Sequence, residues 1–264
     1  MSATSYDLAG KILAAELLAT PLVRATSGYV IFYQSDDPPS KDGTGGTPIG
    51  SGHVAKNLDF NGTVWTVTGL TATNAGTITG DTNGTSTVTA THYAIWDDAD
   101  NLMFSGPLSG PIVITSGAPF QIPAGAIDFT IGGAFTTAHG NDILDHILTG
   151  AAITWPDAAG TEIGLVSTAP SAGSAGTEVT GTGYARPEIE ADPANWVITD
   201  NEAVNGIDIE FGVAASDWTD PVGHNLYAVT GGTRLMFLDY GSAQPLDSGN
   251  QALWRAGTLS IRIL

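Results

Sequence analysis

The chain repeats itself after about 131 residues, and this duplication limits the possible fold more than any other feature of the sequence. Trp65-Thr-Val-Thr68 aligns with Trp196-Val-Ile-Thr199, and Leu102-Met-Phe104 aligns with Leu235-Met-Phe237. Further matches follow in the same order along both halves. A fixed period of this kind is typical of repeated structural units. We therefore expect two homologous domains, residues 1–135 and 136–264.

A helical segment opens each expected domain. Apolar residues recur at helical spacing within Leu8–Ala19, and Thr4 with Asp7 resembles a capping box at its start. In the second domain we expect Asn141 to cap a shorter helix that ends at Gly150.

Strand-forming runs follow both helices. They are rich in Val, Ile, Thr and aromatic residues, and Gly, Pro, Asn and Asp separate them. Gly69–Ser86 is mostly Thr, Gly, Asn and Ala, which favours a long polar hairpin or loop that Asp200–Asp217 replaces in the second domain. The expected fold class is all-β, with two tandem antiparallel β-sandwiches of jelly-roll or immunoglobulin-like size, each preceded by a short helix.

The charge balance excludes several partners. Eight Lys and Arg residues against 27 Asp and Glu residues give a formal net charge of −19, which repels nucleic-acid phosphates and anionic lipid headgroups. The sequence has no cysteine for a disulfide or thiolate site, no apolar run of the roughly 18 residues that a membrane span needs, and no secretory signal pattern at its start. We expect a soluble, acidic protein with neither nucleic acid nor a membrane as its partner.

Motifs for catalysis or metal binding are missing from the sequence. The five histidines lie in no recognisable constellation, and the spacings of a nucleophile elbow and of a phosphate-binding loop do not occur. Asp97-Asp-Ala-Asp-Asn101 resembles the start of a calcium loop but lacks its later Gly and Glu. A carboxylate-rich hairpin tip is the preferred interpretation, with a weak surface calcium site as the alternative. We expect no enzyme activity, no cofactor and no resident metal.

The six tryptophans divide into two groups. Trp65 and Trp196 occupy equivalent repeat positions, which favours a role in both cores. The others lie beside turns or polar residues, where each could anchor an interface or, as an alternative, stack on a sugar. This second group is Trp96, Trp155, Trp218 and Trp254.

The second half carries a motif that resembles a known family. Ile143-Leu-Asp-His-Ile147 is followed by Ile163-Gly-Leu-Val-Ser-Thr-Ala-Pro170 and then by Gly176-Thr-Glu-Val-Thr-Gly-Thr-Gly-Tyr184-Ala-Arg186. This order is similar to small structural proteins of tailed phages, often called tail-fibre-like, some relatives of which decorate heads. In the first half, Gly45–Lys56 keeps the glycines, but His53 replaces Tyr184, and Lys56 or Ala55 replaces Arg186.

The motif itself has a physical interpretation. Its glycines permit a tight backbone between two strands, and its Tyr and Arg can cover the end of the sandwich by aromatic packing and a charge-assisted hydrogen bond. The motif is therefore expected to be structural, and the resemblance supplies no catalytic residue.

The resemblance implies a virion structural protein. The favoured reading is a head decoration protein that cements the outer surface of the capsid as a homotrimer, with the major capsid protein as its partner. The alternatives are a tail-fibre or tail-tip component that contacts the host receptor and, less favoured, a glycan-binding module. The residues expected at partner contacts are Tyr6, Trp155, Tyr184, Arg186, Trp218 and Trp254.

Overall fold

The computed structural model describes residues 3–33, 39–46, 48–49, 56–82 and 87–264. In the first half, one helix, α1 (Tyr6–Leu17), is accompanied by ten strands. These are β1 (Ala3–Thr4), β2 (Ser27–Tyr33), β3 (Lys56–Asp59), β4 (Trp65–Thr68), β5 (Thr71–Asn74), β6 (Ile78–Thr82), β7 (Val88–Asp97), β8 (Leu102–Ile114), β9 (Pro119–Ile122) and β10 (Asp128–Thr130). They form antiparallel sheets in the orders β1-β8-β7-β2-β3, β10-β5-β4 and β6-β9.

The second half repeats this arrangement after helix α2 (Thr137–Thr149). Its strands are β11 (Thr161–Val166), β12 (Glu188–Ile189), β13 (Trp196–Thr199), β14 (Glu202–Asn205), β15 (Ile209–Val213), β16 (Gly223–Ala228), β17 (Arg234–Asp239), β18 (Gln251–Trp254) and β19 (Ser260–Arg262). The sheet orders β12-β11-β16-β17, β13-β14-β19 and β15-β18 match those of the first half, except that β1 has no counterpart strand among the described residues: only an isolated bridge between Phe135 and Met236 takes its place. The predicted fold class, two tandem antiparallel sandwiches each opened by a helix, is confirmed.

The hydrogen-bond register shows which residues correspond between the two copies. A bulge follows Ile95 in β7 and Leu226 in β16, and these residues pair with Phe104 and Met236. Met236 is therefore the counterpart of Phe104. Aligning the two Leu-Met-Phe triplets would instead have matched Met236 with Met103, one residue earlier. The repeat period changes from 131 residues before the hairpin turn to 132 after it, because the turn is one residue longer in the second copy. Asp97 N donates to Asn101 O in the first copy, whereas Ala228 N donates to Thr233 O in the second.

Both helices begin at equivalent caps. The Ser5 hydroxyl accepts a hydrogen bond from Leu8 N, and the Thr136 hydroxyl accepts one from His139 N. The caps predicted at Thr4 and Asn141 are wrong, because Thr4 lies in β1 and Asn141 lies inside α2. A short hydroxyl side chain directly before the first helical turn satisfies these amides best.

Each helix packs on the three-stranded sheet of the other domain. Helix α1 contacts β13 and β14, whereas α2 contacts β4 and β5. A Cβ atom placed on Gly10 would lie 2.9 Å from the carbonyl oxygen of Asp200. At the equivalent point of the other pair, Gly69 N donates to Asn141 Oδ1 over 3.1 Å. The two domains therefore exchange helices reciprocally.

The exchange follows a pseudo-twofold relation. Gly132 and Leu264, each two residues beyond the last strand of its domain, exchange two backbone hydrogen bonds of 3.3 and 3.2 Å. A residue that pairs with its own counterpart marks a twofold axis. Nearby, Glu16 of α1 and His139 of α2 form a buried pair, with 2.5 Å between Oε1 and Nε2. One continuous hydrophobic core runs through both domains.

Candidate functional site

The glycine-rich motif lies along β11 in place of a regular strand. Ser167 N donates to Thr177 O over 2.7 Å, and Val179 N donates to Leu165 O over 2.9 Å. Leu165 N donates in turn to the Tyr184 hydroxyl over 2.9 Å. Residues 176–186 thus provide hydrogen-bond partners for the backbone of β11 along the part of its edge that the two-residue strand β12 does not reach.

At two positions of this segment the structure requires glycine. A Cβ atom on Gly181 would lie 2.2 Å from Cδ1 of Trp218, so the indole needs a residue without a side chain beneath it. Gly183 has a φ of 91°, which residues other than glycine rarely adopt. Trp218 Nε1 also donates to Thr182 O over 3.2 Å, which locks the indole onto the segment.

Arg186 is the centre of a polar network. Its Nε and Nη2 atoms donate to the two carboxylate oxygens of Glu178 over 2.7 Å each, and its Nη1 donates to Glu162. The guanidinium carbon lies 3.9 Å from the centroid of the Tyr227 ring, and the Tyr184 hydroxyl donates to Glu178 over 2.9 Å. A bidentate Arg–carboxylate pair over an aromatic face fixes orientation as well as charge.

The charges in the network stabilise each other. Hydrogen bonds from Arg186, assisted by the one from Tyr184, hold the pKa of Glu178 below its ordinary value against the opposing effect of desolvation. Burial, together with the neighbouring Glu178 charge, raises the pKa of Tyr184. Both groups therefore keep a single protonation state near neutral pH. Tyr184 and Arg186 thus make the aromatic packing and the charge-assisted hydrogen bonds expected of them, and they make these contacts along the edge of β11.

An aromatic cluster joins three of the six predicted contact residues. Tyr184 meets Trp218 edge to face at 5.2 Å and stacks on Phe211 at 6.1 Å. Phe211 meets Trp254 at 5.6 Å, and Trp254 meets His224 edge to face at 5.2 Å. An open cavity of about 520 Å³ adjoins Trp254 on the surface.

The remaining predicted contact residues lie elsewhere. Tyr6 is half-buried at the start of α1, and Trp155 packs against the rings of His139 and His146 on α2 at 6.4 and 5.8 Å. Trp218 is buried and packs in the interior of the second domain. The contact role of all six residues stays a prediction. Trp65 and Trp196, by contrast, are confirmed as core residues.

Sequence reasoning missed a pair of buried asparagines. Asn74 Nδ2 donates to Gly76 O and Pro123 O over 2.8 Å each, and its Oδ1 accepts from Ile127 N over 2.9 Å. Asn205 makes the same three bonds with equivalent partners in the second domain. The signal was available, because the two asparagines lie 131 residues apart, as the repeat requires.

The aspartate-rich turn is a hairpin tip. Asp97 Oδ1 accepts from the backbone amides of Ala99 and Asn101 over 3.0 and 2.7 Å, and the Tyr29 hydroxyl donates to Asp100 over 2.6 Å. Across the described ranges, no group of three or more His, Asp or Glu side chains could hold a metal ion. In the same ranges, no helix is long and apolar enough to cross a membrane. His53 and Ala55 of the first-half motif lie outside the described residues, and the Lys56 side chain is not described.

Comparison with known protein families shows which family the two repeats match. The family described as "Podophage GP4 fiber I protein gp80" matches the chain twice, over residues 3–130 and 134–262. The chain belongs to this family. The resemblance to tail-fibre-like phage proteins is confirmed, and each repeat matches the gp80 fibre family by itself. The protein is thus a phage structural protein and a component of the virion. A search of curated proteins found no match.

Proposed function

We propose that the protein is a subunit of a virion fibre at the phage tail, where it serves a structural role and no catalytic one. The observation that carries this proposal is the match of both repeats to a podophage fibre family. The sequence alone favoured head decoration. The family description names a fibre, which supports the tail-fibre alternative over the decoration reading.

The joint between the domains supports a load-bearing role. Two domains that exchange helices and share one core resist bending better than two domains joined by a linker alone, because relative motion must break buried contacts on both sides of the axis. The buried pair of Glu16 and His139 adds a further contact across this joint. A subunit of this kind suits a fibre that transmits force between a receptor and a tail.

Partner contact is the less specified part of the proposal. A net charge of −19 suits a protein on the virion exterior, and it favours partners with neutral or basic surfaces. We include a homotrimer and contact with the host receptor in the proposal. The major capsid protein would be a partner only in the decoration reading.

The test combines copy number with position. Quantitative mass spectrometry of purified particles would give the ratio of this chain to the major capsid protein, and gold-labelled antibodies would locate it by electron microscopy. We expect a small number of copies per particle with label at the tail. A ratio near one with label over the head would overturn the fibre proposal in favour of decoration. Antibodies against the capsid protein serve as the positional control.

A further inference from the structure

The second domain contains an open, apolar cavity between its two main sheets. It measures about 450 Å³ and is lined by Leu226 and Met236 on one side and by Ile261 on the other. Leu238 and Leu264 line it as well and are 42% and 58% exposed. Large apolar side chains that stay exposed beside an apolar cavity are typical of a binding site.

The first domain fills the corresponding space with aromatic rings. Phe104 and Phe129 face each other across the sheets and stack at 4.0 Å. Tyr93 lies beside them, and its hydroxyl donates to Asp128 O over 2.6 Å. All three side chains are buried.

The register identifies what replaces these rings. Ala72 and Ala203 occupy equivalent positions and pair with Phe129 and Ile261, which makes Ile261 the counterpart of Phe129. Met236 is the counterpart of Phe104, as shown above. His224 lies two residues before Leu226, as Tyr93 lies two before Ile95.

Three rings are thus replaced by a smaller ring and two aliphatic chains. The indole of Trp254 lies against His224, and the space beside Met236 and Ile261 is apolar. Apolar cavities in proteins accept small apolar molecules, because the walls gain dispersion contacts when the space is filled.

The polar groups around the cavity favour a neutral ligand. Burial lowers the pKa of His224 to about 4, so the imidazole is uncharged near neutral pH, and its Nδ1 lies 2.9 Å from the Tyr240 hydroxyl. Of the two charged residues that line the cavity, Arg262 is paired with Glu202, and Asp239 accepts from Gly241 N. A charged ligand would therefore compete with bonds that already exist.

We propose that this cavity is a binding site for a small, neutral aromatic ring. The first domain shows the chemistry that fits, since rings occupy the equivalent space there. The inference rests on the comparison of the two copies and does not depend on the fibre role.

The full-length protein offers a direct reporter. The chain has three methionines, of which Met236 lines the cavity and Met103 lies in β8 of the first domain. With 13C-methyl methionine, titration with p-cresol, the tyrosine side chain without its backbone, should shift the Met236 signal in a saturable way and leave Met103 in place. An unmoved Met236 signal, or equal shifts at both methionines, would overturn the proposal.

Two substitutions refine the test. Ile261→Phe restores the ring that Phe129 supplies in the first domain, and it should weaken p-cresol binding at least tenfold. The matched control is Val197→Phe, which adds a ring on an exposed position of β13 and should leave binding unchanged. Unchanged binding to Ile261→Phe would contradict the proposal. The Met103 signal shows whether Ile261→Phe is folded. If this variant is not folded, His224→Tyr, which restores the ring that Tyr93 supplies in the first domain, is tested in its place.

A third titration distinguishes a ring on a free small molecule from a ring on a polypeptide side chain. A capped Gly-Tyr-Gly peptide presents the same ring on a backbone. If the peptide and p-cresol both shift Met236, the site admits an aromatic side chain of another polypeptide. If only p-cresol does, the site is restricted to free small molecules. Both results support the ring site, and failure of both probes overturns it.

Discussion

The two domains share their topology but fill equivalent positions with different chemistry. In the first domain, Tyr29 and Trp96 pair across β2 and β7 and stack with ring centroids 6.5 Å apart. In the second domain, the same two positions hold Glu162 and Tyr227, which bind the two sides of the Arg186 guanidinium. An aromatic stack and an ionic network thus occupy equivalent positions on the two sheets. The strand topology is the same with either, so it does not depend on which of them is present.

What both copies retain is a smaller set of buried positions. Trp65 and Trp196 fill the two cores, and Asn74 and Asn205 tie a turn to two neighbouring segments. The comparison therefore separates residues that define the fold from residues that give each domain its own character. The following predictions test that separation.

The largest effect is expected at the paired asparagines. Asn74→Ala and Asn205→Ala each remove three buried hydrogen bonds and leave backbone partners unsatisfied, which should lower the free energy of unfolding by about 3 kcal/mol in each case. Urea denaturation of the full chain would measure both. The Asn→Asp variants keep the Oδ1 acceptor but place a buried carboxylate oxygen against two backbone carbonyl oxygens, so they should lose at least as much at neutral pH. A difference of more than about 1.5 kcal/mol between the two alanine variants would break the equivalence.

Acid should weaken the second domain through His224. Burial lowers its pKa from the ordinary value of 6.5 to about 4 in the folded state, so the unfolded chain binds the proton more readily between these values. Stability is therefore fully present above pH 6.5 and falls as the pH approaches 4, by on the order of 3 kcal/mol. The Tm difference between pH 7 and pH 4 should be smaller in His224→Phe. An identical difference in the variant would show that His224 does not carry the effect.

Loss of the Arg186 network should have an intermediate effect. Arg186→Met leaves Glu162 and Glu178 without their cation and should cost about 2 kcal/mol at pH 7. Arg255→Met is the matched control, since Arg255 is largely exposed and pairs with Asp208, and it should cost less than about 0.5 kcal/mol.

The same network should show a defined pH dependence. Because the pKa of Glu178 is lowered in the folded state, its stabilisation is present above the ordinary Glu value and is lost as the pH falls. The difference between wild type and Arg186→Met should therefore shrink in acid. An equal difference at pH 7 and pH 3 would show that the network acts through packing alone.

The smallest effects are expected at the helix caps. Ser5→Ala and Thr136→Ala should each cost about 1 kcal/mol, whereas Ser5→Asn and Thr136→Ser should cost little. Because the helices are exchanged, loss of the Ser5 cap should increase hydrogen exchange in β13 and β14 of the opposite domain. Faster exchange confined to the first domain would contradict the exchange of helices.

Much of the fold could be predicted from the sequence because the duplication is visible in it. The tryptophan pair, the hairpin at Asp97–Asn101 and the stop of α2 at Gly150 follow from spacing and turn chemistry. Gly69–Ser86 was expected to be a polar hairpin or loop, yet it contains β5 and β6. Strand β5 pairs with its neighbour β4 and with β10, and β6 pairs with β9. Because β9 and β10 are distant in the chain, local composition carries no trace of the pairing with them.

The candidate site was predictable only in part. The glycine motif indicated Tyr184 and Arg186, but Glu162, the second acidic partner of Arg186, lies in a strand whose pairing decides the contact. The exchange of helices could not be predicted either, because an apolar face indicates burial without saying against which sheet. The residues that line the cavity could not be aligned from the sequence either, because the Leu-Met-Phe triplets align Met236 with Met103, whereas the hydrogen-bond register makes Phe104 its counterpart.

The exchange of helices is symmetric in space but not in time. When a ribosome releases α2, the sheet that receives it has already been made. Helix α1 begins at Tyr6, and its receiving strands begin at Trp196, roughly 190 residues later. At about 5 to 20 residues per second, α1 waits on the order of 10 to 40 seconds before β13 and β14 can cover it. During that interval α1 can pack on β8 of its own domain, and the first domain reaches its final packing after the second domain has emerged.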